Sequence, residues 1–258
     1  MQYETISLDI SPRRIATILL DRPECGNAFN QAMLAELAHV LARLATDDGT
    51  RLAVLRGSGK HFCAGADLAE RAQRTDGAAD GAPAGPTLLD VLEAIDRLPK
   101  PTIAGIHGGA IGGGAAIAAC CDIVVATEDA FFSIPEVRVG MAPVRLAPLF
   151  IRTMGYRSFR RYGISGERFD AAEALRIGMA HRLCVPHELD GAIAAVADAL
   201  LHGAPGAIRE LKSACAGLAM PPWPATTAAP RHEPARTPEA AEGIASFREK
   251  RKPSWYPG

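Results

Sequence analysis

His107-Gly108-Gly109-Ala110-Ile111-Gly112-Gly113-Gly114-Ala115-Ala116, continuing into Ile117-Ala118-Ala119-Cys120-Cys121-Asp122, is the stretch on which the fold turns. A strand-like run, Pro101 to Ile106, enters it and an apolar, alanine-rich helical run leaves it, so the consecutive glycines sit where a helix begins. The first turn of a helix carries unpaired N–H groups and partial positive charge, which suit it to a developing anion. Glycine lets the backbone itself approach a ligand with no Cβ in the way. Taken alone, the three glycines read as a tight strand-to-helix turn. A second stretch changes that reading: Lys60-His61-Phe62-Cys63-Ala64-Gly65-Ala66-Asp67-Leu68, after the expected strand Leu52 to Arg56. One N–H from each loop would make a two-donor oxyanion hole.

Phe62-Cys63-Ala64-Gly65-Ala66-Asp67-Leu68, followed further on by Gly112-Gly113-Gly114, resembles the enoyl-CoA hydratase/isomerase (crotonase) family, and the likeness covers nearly the whole chain. Two spaced motifs in order are more specific than either alone. The resemblance implies an α/β fold, a crotonase-like spiral of ββα turns with a C-terminal helical oligomerisation region, rather than a doubly wound sheet. It implies a core over residues 1–190 carrying the acyl-CoA site. Residues 191–258 would form a helical region for trimerisation, with a proline-rich interruption at 220–238. The backbone N–H groups matching the family's donors are those of Ala64 and Gly113, which would hold the thioester oxygen as it becomes an enolate. By the same likeness Ala28, Phe62, Ala64, Gly65, Ala66, Asp67 and Leu68 line the coenzyme A, and Lys250 of the basic tail reaches its adenine end. Ala116, Pro135, Gly140 and Arg145 fall at the acyl pocket. No cofactor is implied beyond the coenzyme A that arrives as part of the substrate. The expected partners are an acyl-CoA thioester and further copies of the chain, as a trimer or dimer of trimers.

An oxyanion hole serves every reaction that passes through an enolate, so the acid/base groups must choose the product. The family's hydratases commonly carry two glutamates; here the first position is Ala116, and the second, after Pro135, is Glu136. Glu136 is therefore the expected catalytic group, with pairing to nearby Arg138 as the alternative. One carboxylate leaves hydration of an α,β-unsaturated acyl-CoA and migration of its double bond both open, and a non-catalytic CoA-binding protein is a third possibility. Ser133 to Pro143, running into Ala147-Pro148-Leu149-Phe150, and the stretch Arg157 to Asp170 look like the bacterial methylglutaconyl- and isohexenylglutaconyl-CoA hydratases, which favours hydration. Those substrates bear a second carboxylate, for which Arg145 is a candidate receptor; a surface arginine is the alternative.

With 258 residues, 48% of them hydrophobic, the chain can bury one substantial core. A net charge of −1 gives no field for nucleic acid, and no apolar run reaches membrane-spanning length. The N-terminus lacks signal-peptide character, and the setting is expected to be cytoplasmic. Cys25, Cys63, Cys120, Cys121, Cys184 and Cys215 show no C-x-x-C pair and no zinc spacing, and are expected to be buried free thiols, with no metal site. G-x-G-x-x-G, Walker and G-x-S-x-G patterns are absent, which removes nucleotide-binding and serine-hydrolase readings.

Around these motifs, Tyr3 to Ile10 and Ile15 to Leu20 read as a hairpin. Asn30 is expected to cap a helix burying Met33, Leu34, Leu37, Val40, Leu41 and Leu44. Residues 69–86 lack a periodic apolar face and are expected to form a mobile rim over the pocket. Leu88 to Leu98 reads as an amphipathic helix ended by Pro99, and Asp122 to Ala126 and Ala130 to Ser133 as short strands. Ile134 to Gly140 is expected as a loop, and Leu146, Leu149, Phe150 and Met154 mark a helix ending at Gly155. Arg168 is placed in a loop closing into a helix capped by Asp170, with Glu173 as box partner. Met179 to Leu183 reads as a strand, and Leu189 to Leu201 and Ala207 to Leu218 as helices.

Overall fold

The computed structural model describes residues 3–70, 85–218 and 237–256. The expected rim at 69–86 and the prolines from Pro221 to Pro234 lie almost wholly outside them. Strands β1 (Ile6–Ile10), β2 (Ile15–Leu20), β3 (Leu52–Gly57), β4 (Thr102–Ile106), β6 (Ile123–Thr127) and β9 (Arg182–Cys184) form one sheet in the order β1-β2-β3-β4-β6-β9. Only the β1–β2 pair is antiparallel. A second sheet contains β5 (Gly109–Ile111), β7 (Phe131–Ser133) and β8 (Arg168–Asp170). Two strands of the large sheet are each followed directly by a strand of the small one, β4 by β5 and β6 by β7. The chain therefore advances as a spiral of ββα turns, as expected.

Period and capping account for the helices. In α1 (Gln31–Thr46) the buried residues are the six apolar ones that the 3.6-residue spacing picks out, and the Asn30 side chain accepts from Met33 N–H at 2.9 Å. Helix α2 (Leu88–Asp96) starts with a Thr87–Asp90 capping box. The glycine turn opens α3 (Gly113–Cys120), every residue of which is buried. Then follow α4 (Ala147–Met154), α5 (Tyr156–Ser165), α6 (Ala171–Ile177), α7 (Leu189–Leu201), α8 (Pro205–Leu218) and α9 (Pro238–Arg248). Pro238 stands in the first turn of α9, where its missing N–H costs nothing.

Several expectations need correction. Gly109–Ile111 and Arg168–Asp170 are strands rather than turn and loop, and Tyr156–Ser165 is a helix that periodicity did not reveal. The first strand starts at Ile6 and the last runs Arg182–Cys184. Asp170 does cap α6, accepting from Glu173 N–H at 2.8 Å. The Glu173 carboxylate goes instead to Tyr162 Oη and Arg176 Nε, both at 2.6 Å, which holds it down at about 2.

The large sheet separates two cores. On one face Ala53, Leu55, Ala104, Ile106 and Ala126 meet α1, α2 and α3; on the other Leu52, Val54, Ile103 and Val125 meet Leu189 and Ile193 of α7. This alternation is the period-two rule applied to a sheet buried on both sides. The glycine turn belongs to the first face.

Candidate active site

A 3-10 turn, Glu136–Val139, follows β7 and carries the expected carboxylate. Its place is reported by Gly112: a Cβ added there would lie 2.7 Å from Glu136 Oε1. Gly112 adopts φ 53° and ψ −119°, a conformation open essentially to glycine, and its N–H donates to Ser133 O at 2.8 Å. The carboxylate thus rests on the backbone immediately before Gly113, the first residue of α3. Arg138, the alternative partner in sequence, turns towards Ser165 O at 3.4 Å and packs against Gly166. Within the first turn of α3 the ladder begins with Ala116 N–H bonding to Gly112 O, which leaves the Gly113 N–H outside it.

The facing loop is stitched from both sides. Phe62 N–H donates to His107 O, Cys63 N–H to Gly109 O, and Ile111 N–H to Cys63 O, at 2.9–3.1 Å. On the other side Phe29 N–H donates to Gly65 O at 2.8 Å and Asp67 N–H to Phe29 O at 3.0 Å. Gly65 has φ 91°, and a Cβ on it would come within 2.9 Å of Ile111 O and 3.9 Å of Gly113 N. A Cβ on Gly114 would meet Cys63 O at 2.5 Å. Glycine is needed at both positions because the two backbones touch.

This stitching corrects one donor. Ala64 N–H is already given to Gly26 O at 2.9 Å, so it cannot serve a thioester oxygen. Ala66 bridges Phe29 through its neighbours' polar groups, which points its own N–H away from that partner. Among the described residues, no backbone acceptor takes the N–H of Ala66 or of Gly113.

Other expected contacts also change. Phe62 is wholly buried in the main core, so its side chain cannot touch a ligand. Gly140 does not line a pocket: at φ 70°, a Cβ there would strike Glu239 O of α9 at 2.4 Å. Asp67 is taken by Arg22, whose Nη1 and Nη2 both lie 3.1 Å from Oδ2, while Oδ1 accepts from the N–H of Ala69 and of Glu70. Its carboxylate shapes the loop. Arg145 is 5% exposed, which rules out the surface reading. Ala116 is fully buried, Ala28 buried, Pro135 and Leu68 half-buried, and Lys250 exposed just past α9.

Two organisers were missed. Asn27, buried in the left-handed region at φ 59°, accepts from Arg22 N–H at 2.8 Å and donates to Ser58 O and His61 O. Arg22 spans Ala28 O and Asp67. The signal available was an Asn in a Gly-Asn pair, a combination that favours positive φ. Cys63 is packing, as expected: its thiol donates to Asn27 O at 3.1 Å and burial pushes it up to about 12. The six cysteines are free, but Cys215 is exposed and Cys25 half-exposed rather than buried. Among the described residues no group of acidic, histidine and cysteine side chains could hold a metal ion.

Helix α9 closes over the turn that carries Glu136. A Cβ on Gly243 would meet Val139 C at 2.4 Å, and Ala240, Gly243 and Ile244 are buried on this side. One face of the C-terminal helix is therefore spent on its own chain. Gly243→Ala should push the turn outward and lower kcat by up to about 10², since displacement by an ångström can cost that much. Steady-state kinetics with circular dichroism to verify folding checks this; unchanged kcat would show that α9 does not position Glu136.

A spiral of ββα turns that brings a glycine helix start, a second backbone loop and a carboxylate together is the crotonase fold. The match to the family described as enoyl-CoA hydratase/isomerase runs over residues 11–257, and the chain belongs to that family. It is 32% identical to the short-chain-enoyl-CoA hydratase of Clostridium acetobutylicum, covering 78% of this chain and 77% of that one. It is 34% identical to the mitochondrial Delta(3,5)-Delta(2,4)-dienoyl-CoA isomerase of Mus musculus, covering 76% and 64%. Among solved structures, an enoyl-CoA hydratase from Shewanella pealeana superposes with a TM-score of 0.77 at 30% identity, covering 98% and 97%. Members of the family act on acyl-CoA substrates and are commonly oligomeric.

Proposed function

We propose that this chain is an enoyl-CoA hydratase, in which the N–H groups of Ala66 and Gly113 hold the thioester oxygen and Glu136 is the acid/base. The observation that carries the proposal is the Glu136 carboxylate lying against Gly112, one residue before the Gly113 N–H. In the forward step the carboxylate takes a proton from water, the water oxygen bonds to Cβ, and the electron pair moves onto the thioester oxygen between the two N–H groups. The enolate then collapses as the same carboxyl group returns the proton to Cα. Backbone donors fixed at a helix start and a stitched loop need no reorganisation as charge develops, which is why such a hole is effective.

One observation favours a second reading. Ala116 puts a buried methyl where another carboxylate could have held the water, and a lone base suffices to carry a proton from Cα to Cγ. Mass analysis of products from an enoyl-CoA panel separates the two. Gain of one water is expected; an unchanged mass with a shifted double bond would replace hydration by isomerisation.

For the acyl group we propose a glutaconyl-type chain whose distal carboxylate meets the buried Arg145. Arg145→Met should then depress glutaconyl-CoA turnover at least ten-fold more than crotonyl-CoA turnover, as for the loss of a hydrogen bond to a charged group. Equal losses would remove this selectivity. Coenzyme A enters only as part of the substrate, with Ala28, Leu68 and the exposed Lys250 as its proposed contacts. Assembly as a trimer or a pair of trimers through residues 191–258 is supported by the apolar side chains that α8, α9 and the tail leave exposed, Leu211, Phe247 and Trp255 among them. Free thiols fit a reducing, cytoplasmic setting.

A further inference from the structure

On the opposite face of the large sheet from the glycine turn, a cleft of about 670 Å³ opens at the C-terminal ends of β3, β4 and β6. Three buried polar atoms of its lining residues have no hydrogen-bond partner among the described residues: Arg56 Nε, His107 Nδ1 and Thr127 Oγ1. Their grouping follows from register. Leu55 pairs with Ala104 and Ile106 with Ala126, so Arg56 stands beside Gly105 and His107 beside Thr127 on neighbouring strands about 5 Å apart. Gly105 fixes the face, because a Cβ there would meet both Arg56 Cγ at 3.5 Å and Ile193 Cδ1 of α7 at 2.4 Å. The three groups therefore crown the α7-side core, where an apolar filling would leave each of them unsatisfied. Thr127 is 1% exposed, so its hydroxyl has been taken out of water with no partner among the described residues.

The chemistry of these atoms narrows the ligand. Arg56 Nε–H is a donor and nothing else. His107 Nε2 faces Gly59 O at 2.9 Å, and a carbonyl only accepts, so Nε2 bears the proton and Nδ1 is a bare acceptor in the neutral ring. The Thr127 hydroxyl can do either. Lys60 and His187 stand at the exposed mouth, with Asp129 as a second acceptor; Asp190 is neutralised by its ion pair with Arg56 Nη1. His61 contributes no further acceptor, since its Nδ1 already receives Gly109 N–H at 2.9 Å. A ligand must therefore present oxygens that accept from Arg56, Thr127 and Lys60, and also a proton of its own for His107.

We propose that this cleft is a second binding site, separate from the acyl-CoA pocket, for hydrogen phosphate. Its P–O⁻ oxygens accept from Arg56 Nε–H, the Thr127 hydroxyl and the Lys60 ammonium, while its P–OH donates to His107 Nδ1. Sulfate has the same shape and charge but no proton at neutral pH, so a bare acceptor discriminates between the two.

Calorimetric titration of the full chain with inorganic phosphate and inorganic sulfate at pH 8 tests this. Saturable binding of one phosphate per chain is expected, with sulfate at least about ten-fold weaker. Thr127→Val, which keeps shape and removes only the hydroxyl, should weaken phosphate by about ten-fold, and Thr127→Ser should restore it. Saturating free coenzyme A should leave phosphate binding unchanged. Equal affinity for sulfate, no saturable binding, no loss in Thr127→Val, or displacement by coenzyme A would each overturn the proposal, the last by showing that the cleft takes a phosphate of coenzyme A itself. None of these outcomes depends on hydratase activity.

Discussion

Glu136→Gln should lower kcat for hydration of crotonyl-CoA by about 10² to 10⁴, with KM changed far less, because removing a general base at neutral pH costs that range in rate. The substitution keeps volume and hydrogen-bonding reach, and Glu136 is only half-buried in a turn held from behind by α9, so folding is not the limiting factor. On the proposed mechanism the effect belongs to the transition state, where the carboxylate takes a proton as the water attacks, and not to binding of the coenzyme A portion. With Ala116 at the other position a second glutamate could have occupied, no neighbouring carboxylate in that helix turn can take over. Steady-state kinetics with both proteins at matched concentration is the measurement. A loss below about five-fold would mean that Glu136 is not the base, the minimum for such a group being near 10².

Gly112→Ala should be nearly as damaging, by about 10² to 10³ in kcat, though Gly112 carries no chemistry of its own. Two costs coincide. The conformation at φ 53° and ψ −119° is one that side-chain-bearing residues avoid, at about 1–3 kcal/mol. The new methyl would lie 2.7 Å from Glu136 Oε1, so either the carboxylate swings away or the backbone leading into Gly113 moves. Either response spoils the relation between base and donor, and losing one oxyanion donor alone costs about 10² to 10³. Kinetics together with a thermal melt distinguishes the cases: a fall in kcat in a folded protein is expected, while normal kcat would show that the carboxylate's contact with Gly112 is irrelevant to turnover.

Much of this architecture can be read from residues. The glycine run at a strand-to-helix junction, the Asn30 cap and the buried face of α1 follow from conformational freedom, capping chemistry and helical period acting locally. Where the reading missed, the cause was non-local or too short to carry a period. Strands of three residues, Gly109–Ile111 and Arg168–Asp170, exist because other strands lie beside them. Tyr156–Ser165 is short and polar on average, with Arg157, Arg160 and Arg161, and its core-facing stripe is only Phe159, Tyr162 and Gly163, which is too narrow to stand out as an apolar period. The shift from Ala64 to Ala66 is the clearest case: two residues apart, their N–H groups would point alike along a regular strand, and what separates them is the turn at Gly65, φ 91°, together with the docking of Gly26, whose carbonyl takes the Ala64 N–H. Similarly, Asp67 looks like a ligand contact in the motif but is taken by Arg22, distant in sequence. Gly140 looks like a pocket residue until α9 is seen against it.

In the proposed mechanism the N–H groups of Ala66 and Gly113 share one thioester oxygen. A crystal structure of the chain with a non-hydrolysable acyl-CoA analogue measures it directly. The carbonyl oxygen should lie about 2.7–3.1 Å from both the Ala66 and Gly113 nitrogens, with Glu136 beside Cα and Cβ. A carbonyl oxygen bonded to neither nitrogen, or an acyl chain on the far side of the sheet from Glu136, would contradict the account.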